Sequence, residues 1–508
     1  MKKQLSLVCF VLLVACKQDN EGIPVVHVPQ TPSLSSFVFE KANNPQLATD
    51  VTCLIEEGKI TAFIPSLKSA TSLVPTFSGK YEKVEVDGKL QVSGFSNNDF
   101  SSIVTYQCIF SSGRTTSYEV HITVFTKLPI VSVTTDNNQP ITSKDDYVAG
   151  TMTVSKTLEF DDGYEGRMRI KGRGNATWYY EKKPYKIKLD IGSEILGMPS
   201  DKEWVLLADY CDKTLMRTEY GFILGELAGL PWTPRFRHVE YFLNGVYEGT
   251  YTLCEQVKVA DNRANAAKDG YLIERDNYWN LEPLWFTTSK GHHYTFKYPD
   301  TDDLTVGDEK VTFINNFMNE MEDVLYSNNF KDPNTGYRKY MDADVFARWF
   351  LIQEVLGNID TNPYFVLESR TARLKAYPLW DFEWSLGLAA AGSNGWATPP
   401  AVSPIEIFYW KNNVYFDRLF QDPYFTSIVK NHWKTMKDEW IPALYEAIDK
   451  EQEHIKYAQK ENFKRWNILG QYVSVGLVAF QTWQEELDYA ENFLKKRITW
   501  LDNQINGL

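Results

Sequence analysis

The chain has 508 residues, enough for about three domains of ordinary size or one large domain with attachments. Its 43% hydrophobic and 14% aromatic content is that of a folded globule rather than a disordered chain. With 53 Lys and Arg against 66 Asp and Glu, the formal charge of −13 sets an average field that repels a phosphate backbone and disfavours a nucleic-acid partner. No apolar run beyond the extreme N-terminus reaches about 18 residues, which excludes a multi-span membrane protein.

The first segment reads as an address. Met1-Lys2-Lys3 supplies a positive start, Leu5 to Val14 a short apolar stretch, and Leu13-Val14-Ala15-Cys16 follows. This looks like a bacterial lipoprotein signal with its lipobox, so residues 1–15 are expected to be cleaved and Cys16 to carry the lipid. Cleavage removes Lys2 and Lys3 and takes the formal charge from −13 to −15. Residues 16–35, polar and poor in apolar side chains, are expected to be a lipidated tether. The implied location is the bacterial cell envelope, lipid-anchored, in an outer membrane and facing either the periplasm or the surface.

Residues 36–130 carry short strand-like runs broken by turn signals, among them Phe37-Val38-Phe39, Tyr81 to Val86, Val104 to Phe110 and Tyr118 to Phe125. That spacing predicts a small all-β sandwich. Its turn-rich stretches, such as Asn43-Asn44-Pro45, resemble the immunoglobulin-like modules of Bacteroidetes surface lipoproteins, and an envelope protein or glycan is a candidate partner for it. Cys53 and Cys108 both fall in strand-like segments, where a disulfide and two small buried thiols fit equally.

From about 131 the pattern changes to hairpin-like strands up to about 300, with one helical interlude near Leu215 to Leu227, and then to helices over 301–508. Val345, Trp349, Ile352 and Leu356 keep the spacing of a buried helical face, and the stretches 424–460 and 480–506 are amphipathic. Strands followed by helices predict an α+β domain over 131–508.

Four segments of this region carry chemistry. Gly172-Arg173-Gly174-Asn175 precedes Lys182-Lys183-Pro184-Tyr185-Lys186-Ile187-Lys188-Leu189, in which Tyr185, Ile187 and Leu189 alternate with lysines. A strand here buries the apolar residues and sets two ammonium groups on its other face, next to a Gly-containing turn suited to an anion. A basic edge strand that guards against aggregation fits as well. Asp209 and Asp212 precede the interlude and read best as helix caps. Asn244-Gly245 is a hairpin turn leading to Glu255 at a strand end, where either a lysine partner or a solvated terminal charge fits. Finally Gly357-Asn358-Ile359-Asp360-Thr361-Asn362-Pro363 follows a buried helix, and Trp380-Asp381-Phe382-Glu383-Trp384 places two acids on one face of an extended segment. Such acids and amides suit Mg2+ or Mn2+ with phosphate oxygens, and two acids flanked by tryptophans also suit a glycosidase. The order lysine strand, glutamate, post-helix acid loop and Asp-Phe hairpin is that of phosphoryl transfer in protein kinases.

On those motifs, taken in that order over residues 150 to 500, the chain resembles the spore-coat-protein-H (CotH) kinase family, an atypical protein-kinase-like fold. The resemblance implies ATP, a divalent metal (Mg2+ or Mn2+) and a protein Ser or Thr acceptor. It assigns Lys188 to the α/β-phosphates with Lys186 and Lys183 as fallbacks, Glu255 to the ion pair with that lysine, and Glu219 as a competitor for it. It further implies Arg173 and Asn175 near the nucleotide, Asp360 as the group that orients the hydroxyl, and Asp381, Asn362 and Glu383 around the metal. Glu383 stands where family members commonly have a second Asp. Two alternatives remain beside an envelope-anchored kinase: a kinase-fold binding or assembly lipoprotein without turnover, and a carbohydrate-active or carbohydrate-binding surface lipoprotein, suggested by 15 Trp.

Overall fold

A computed structural model describes residues 33–508 except for 46, 48–49, 65–71, 125, 156–159, 161–162, 390, 393–394 and 397–401. Cys16, the expected signal and most of the expected tether lie outside the described residues. Among those described, no helix is long and apolar enough to cross a membrane. The chain divides after Val124 into two compact units.

The first unit is built from two sheets. Strands β1 (Ser33–Phe39), β2 (Val51–Thr52) and β5 (Thr76–Lys80) form one, in the order β2-β1-β5. The other joins β3 (Leu54–Glu56), β4 (Lys59–Ile64), β6 (Lys83–Val86), β7 (Lys89–Leu90), β8 (Val104–Ile109) and β9 (Thr115–Val124), in the order β3-β4-β9-β8-β6-β7. Phe37, Phe39, Phe77, Phe100 and Tyr106 pack into one aromatic core. Asn44, fully buried in the predicted turn, exchanges hydrogen bonds with the Val74 backbone at 2.9 and 2.8 Å and so fixes the strand connection. Cys53 and Cys108 are buried free thiols, raised to about 12 and about 11 by burial.

The second unit begins with a closed barrel of seven strands. These are β10 (Ile130–Thr135), β11 (Val148–Val154), β12 (Tyr164–Gly172), β13 (Tyr185–Ile195), β14 (Met198–Leu207), β15 (Phe236–Leu243) and β16 (Val246–Glu255), ordered β10-β11-β12-β13-β14-β16-β15. Inward residues Met168, Ile170, Ile187, Leu189, Trp204 and Leu253 fill it, so the interior is a core rather than a channel. The alternation along β13 therefore resolves as expected: Ile187 and Leu189 are fully buried and the lysines point outward. Asn244 and Gly245 turn the β15–β16 hairpin with positive φ of 50° and 78°.

Between β14 and β15 the chain runs through a fully buried passage, residues 208–222, that includes the start of helix α1 (Arg217–Leu227). Asp212 accepts hydrogen bonds from the N–H groups of Thr214, Met216 and Arg217 at 3.0, 3.0 and 2.7 Å, which gathers the open donors at the helix start. Asp209, predicted to share that task, instead accepts from Thr252 Oγ1 at 3.0 Å, because its positive φ of 48° turns it toward β16.

A second sheet follows, of β17 (Tyr271–Arg275), β18 (Trp285–Thr287), β19 (His293–Tyr298), β20 (Tyr364–Leu367) and β21 (Lys375–Ala376), in the order β18-β19-β17-β20-β21. Its last two strands come from beyond residue 301, so the strand-rich and helical parts are interleaved rather than cleanly sequential. The longer helices are α2 (Glu309–Leu325), α3 (Ala343–Leu356), α4 (Pro423–Thr435), α5 (Ile441–Ile455), α6 (Ala458–Arg465) and α7 (Trp483–Asn506). The single amphipathic stretch predicted over 424–460 is broken by a π-helical segment, Met436–Trp440, just before Pro442, whose missing N–H prevents a regular helix there. Val345, Trp349, Ile352 and Leu356 are all buried on α3.

Candidate functional site

Helix α3 ends at Gly357, whose φ of 58° gives the left-handed cap that turns the chain out of the helix. The loop that follows is laced to the segment containing Asp381. Asn358 is fully buried, donates to the Asp381 carbonyl at 2.9 Å and accepts from the Asp360 N–H at 3.2 Å. Thr361 Oγ1 donates to the Trp380 carbonyl at 3.2 Å, and Leu386 N–H to the Leu356 carbonyl at 2.8 Å. Two loops far apart in sequence are thus one rigid piece.

Helix α1 backs this piece. A Cβ on Gly221 would fall 2.4 Å from the Phe382 ring, and one on Gly225 2.5 Å from Leu379. Only glycine lets the helix approach so closely. Asp381 itself holds a φ of 57°, a strained backbone of the kind that persists where surrounding structure over-determines it.

The acidic groups converge here. Asp381 is open to solvent, yet the protein around it desolvates its carboxyl and raises it to about 6, against the opposing charges of Arg173 and Lys297. Burial, with the charges of Asp381 and Glu383 added, raises Asp360 to about 8. Burial and the Asp209 charge raise Glu383 to about 7, although Glu383 accepts from the Cys211 N–H at 3.3 Å and its thiol at 3.0 Å. Trp384 Nε1 donates in turn to the Cys211 sulfur at 3.2 Å. On the second sheet, Glu274 is raised to about 7 by burial and feels Lys297, Asp276 and Asp381. Lys297 pairs with Glu274 at 3.0 Å.

The barrel supplies the positive side. The Arg173 guanidinium lies 5.3 Å from the centre of the Trp380 ring, directly after β12. Lys186 and Lys188 meet Glu203 of β14 at 3.1 and 3.5 Å on the outer face. Lys186 pairs in register with Lys171 and Val205, and Val205 packs in the same cluster as Trp380. Lys188 lies two residues, about 6 to 7 Å, farther from that end of the strand.

Several predicted neighbours are not brought together. Glu255 is fully buried but pairs with Arg235, through the Arg235 N–H at 3.0 Å and guanidinium at 2.7 Å, and not with Lys188, because Glu203 stands directly opposite Lys188 in the strand register. Glu219 Oε1 shares the Thr252 hydroxyl with Asp209, lying 2.6 Å from Thr252 Oγ1, and faces His238 at 3.5 Å, without a lysine. Lys183 donates to the Trp178 carbonyl at 2.7 Å, and Asn175 is exposed, with Lys144 Nζ at 3.5 Å. Asn362 Nδ2 is 3.5 Å from Asp276. Lys182 is 1% exposed, donates to the Thr250 carbonyl and, at 3.0 Å, to Asn462, and lies over the Tyr251 ring, which makes it a structural lysine.

Sequence reasoning missed Glu203, Glu274, Asp276, Lys297 and Asn358. Glu274 and Asp276 did leave a signal, two acids on alternate positions at a strand end; Asn358 stands in the Gly357-Asn358-Ile359-Asp360 motif, but its partner 23 residues away has no local signal. A separate groove of about 570 Å3, lined by Lys495, Lys496 and Trp500 among others, shares no residue with this site.

The donor chemistry suits a hard cation. Desolvated carboxylates are relieved by a divalent ion, and Mg2+ or Mn2+ uses one or two carboxylates with water and phosphate oxygens. Among the described residues no three His, Cys, Asp or Glu side chains are gathered as a closed ligand set. A multi-sheet, strand-rich part followed by a helical part is the architecture class consistent with CotH proteins. The family described as CotH kinase protein matches residues 169–501, more than half of the chain, and the chain belongs to that family. No curated protein matches it. Among solved structures, a putative glycoside hydrolase from Bacteroides thetaiotaomicron is 14% identical over 37% of this chain and 54% of that chain, with a TM-score of 0.17. The match spans about half of that protein's length, and a likeness at that score carries no argument.

Proposed function

We propose that this chain is an envelope-anchored CotH-like protein kinase that transfers the γ-phosphoryl group of ATP to a protein Ser or Thr, with Mg2+ or Mn2+. The observation that carries the reading is the lacing of the Asp360 loop to the Asp381 segment through Asn358 and Thr361, with the Arg173 guanidinium over the adjoining Trp380 ring. Family membership supports the nucleotide and the metal. In this reading the second unit is a kinase-like fold in two lobes, Cys16 carries the lipid anchor, and the first unit is an immunoglobulin-like spacer or docking module.

Asp381 and Glu383 would hold the metal. The bound metal supplies charge neutralisation at the phosphoryl oxygens. Arg173, over Trp380, would offer its guanidinium to the phosphates, and Lys186 would support it better than Lys188 because it lies nearer that end of the barrel. Asp360 would orient the acceptor hydroxyl and take up its proton once a metal offsets the charges of Asp381 and Glu383, which without it help hold Asp360 protonated at about 8. Asn358 and Thr361 keep Asp360 and Asp381 in register. Catalysis of this kind is mainly positioning.

A second reading, a kinase-fold binding protein without turnover, is favoured by the Asn362 side chain, which faces Asp276. Incubation of the full chain with γ-labelled ATP, Mn2+ and casein separates the two. The kinase reading expects label on the chain or on casein, and a loss of about a thousandfold in Asp381→Asn. Nucleotide binding without transfer, or no nucleotide binding at all, overturns the kinase reading and favours the second.

A further inference from the structure

An aromatic platform lies in the connection between β17 and β19. Trp279 stacks on His293 with ring centres 4.3 Å apart and planes 23° apart, and Trp285 meets Trp279 at 4.2 Å, nearly edge-on. His293 is fixed by Thr287 Oγ1 at 2.8 Å, and the two residues are register partners on β18 and β19. The rings are therefore locked in place before any ligand arrives. Trp285 is also open to water, 40% exposed, with Tyr278 at 52% and Leu281 at 73% on the same turn, while Trp279 and His293 are half-buried. Asn277 and Asn280 are exposed on the same turn, and the Glu282 carboxylate is held at the rim, 3.8 Å from Lys297.

Exposed, immobilised aromatic surface is binding surface, because its burial releases water at almost no cost in side-chain entropy. Its extent points to a small occupant. A stable protein interface needs about 20 to 30 residues a side, whereas this platform is one nine-residue turn plus His293. An indole face matches the apolar C–H face of a pyranose ring, and amides at the rim match the hydroxyls that surround it. A stacked nucleic-acid strand is disfavoured by the net charge of −13 and by Glu282.

We propose that Trp279, Trp285 and Tyr278 form a carbohydrate-binding subsite that stacks a pyranose ring, with Asn277, Asn280 and Glu282 hydrogen-bonding its hydroxyls. The subsite stands independently of phosphoryl transfer and needs no nucleotide. Lys297, which reaches both Glu282 and Glu274, links the rim of the subsite to the acids of the second sheet.

The test is calorimetric titration of the full chain, without nucleotide or metal, with maltohexaose, cellohexaose, xylohexaose, mannohexaose and chitohexaose, each to about 10 mM. At least one is expected to bind, with affinity reduced about tenfold or more in Trp285→Ala and largely kept in Trp285→Tyr. Because Trp285 is partly exposed, its replacement should leave the melting temperature nearly unchanged, which separates lost binding from lost fold. Binding by none of the five, or equal binding by wild type and Trp285→Ala, overturns the proposal. Since no ATP is present, failure of the kinase reading leaves the titration unaffected.

Discussion

Lys186 and Lys188 meet Glu203 on the outside of the barrel with 26% and 38% of their side chains exposed, whereas Lys213 meets Glu486 and Arg497 meets Glu354 with 1% or less exposed on either partner. The first kind of pair is screened by water and contributes about 0 to 1 kcal/mol. It can exchange its carboxylate for an anion at little cost. The second kind cannot: Arg497 also donates to the Glu354 carbonyl at 2.7 Å and to the Ile407 carbonyl at 2.6 Å, while Glu354 accepts from the Tyr409, Trp410 and Lys411 N–H groups. Lys213 ties the buried passage 208–222 to α7 and to the Gln471 carbonyl at 3.0 Å. The charges that look alike in composition thus divide into a reactive face and a frame that holds the acids in place.

Breaking the frame should have the largest effect on stability. Arg497→Met leaves Glu354 buried and unpaired and is expected to cost about 3 to 5 kcal/mol in a denaturant titration. Gly221→Ala drives a methyl group into Phe382 and should cost about 1 to 3 kcal/mol, with a loss of phosphoryl transfer beyond that of stability as Asp381 shifts; a variant as active as wild type would show that α1 does not position the acid. On the reactive face, Lys186→Ala should raise the KM for ATP by about tenfold, and Lys188→Ala should change stability by less than about 1 kcal/mol.

The acids give a pH-dependent difference. Asp360 is raised to about 8 in the folded chain, so between about pH 4, where an ordinary carboxyl ionises, and pH 8 the folded state keeps a proton that the unfolded state has lost. Stability therefore falls as pH rises through that window. Asp360→Asn should flatten the fall, with a melting temperature above wild type at pH 8 and close to it at pH 4. A wild-type melting curve independent of pH over that range, at fixed salt, would contradict the assignment.

Much of the fold was legible in the sequence because it follows local rules. The 2-residue period placed Ile187 and Leu189 inside the barrel, Asn244-Gly245 marked its turn, and the spacing of Val345, Trp349, Ile352 and Leu356 marked α3. What failed was pairing. Glu255 was expected beside Lys188, but strand register set Glu203 there, and register depends on hairpin and barrel closure that no local pattern encodes. Asn358, Glu274 and Lys297 reach the site only because the second sheet takes strands from both halves of the chain. The family resemblance, resting on motif order, was the part that family comparison later supported.

The central claim is that Asp381 stands at a nucleotide site, and calorimetry of the full chain with Mn2+-ATP, wild type against Asp381→Ala, tests it most directly. Saturable binding by wild type that is lost in the variant, with both proteins melting alike, is the predicted result; no heat from wild type, or equal binding by both, would contradict it.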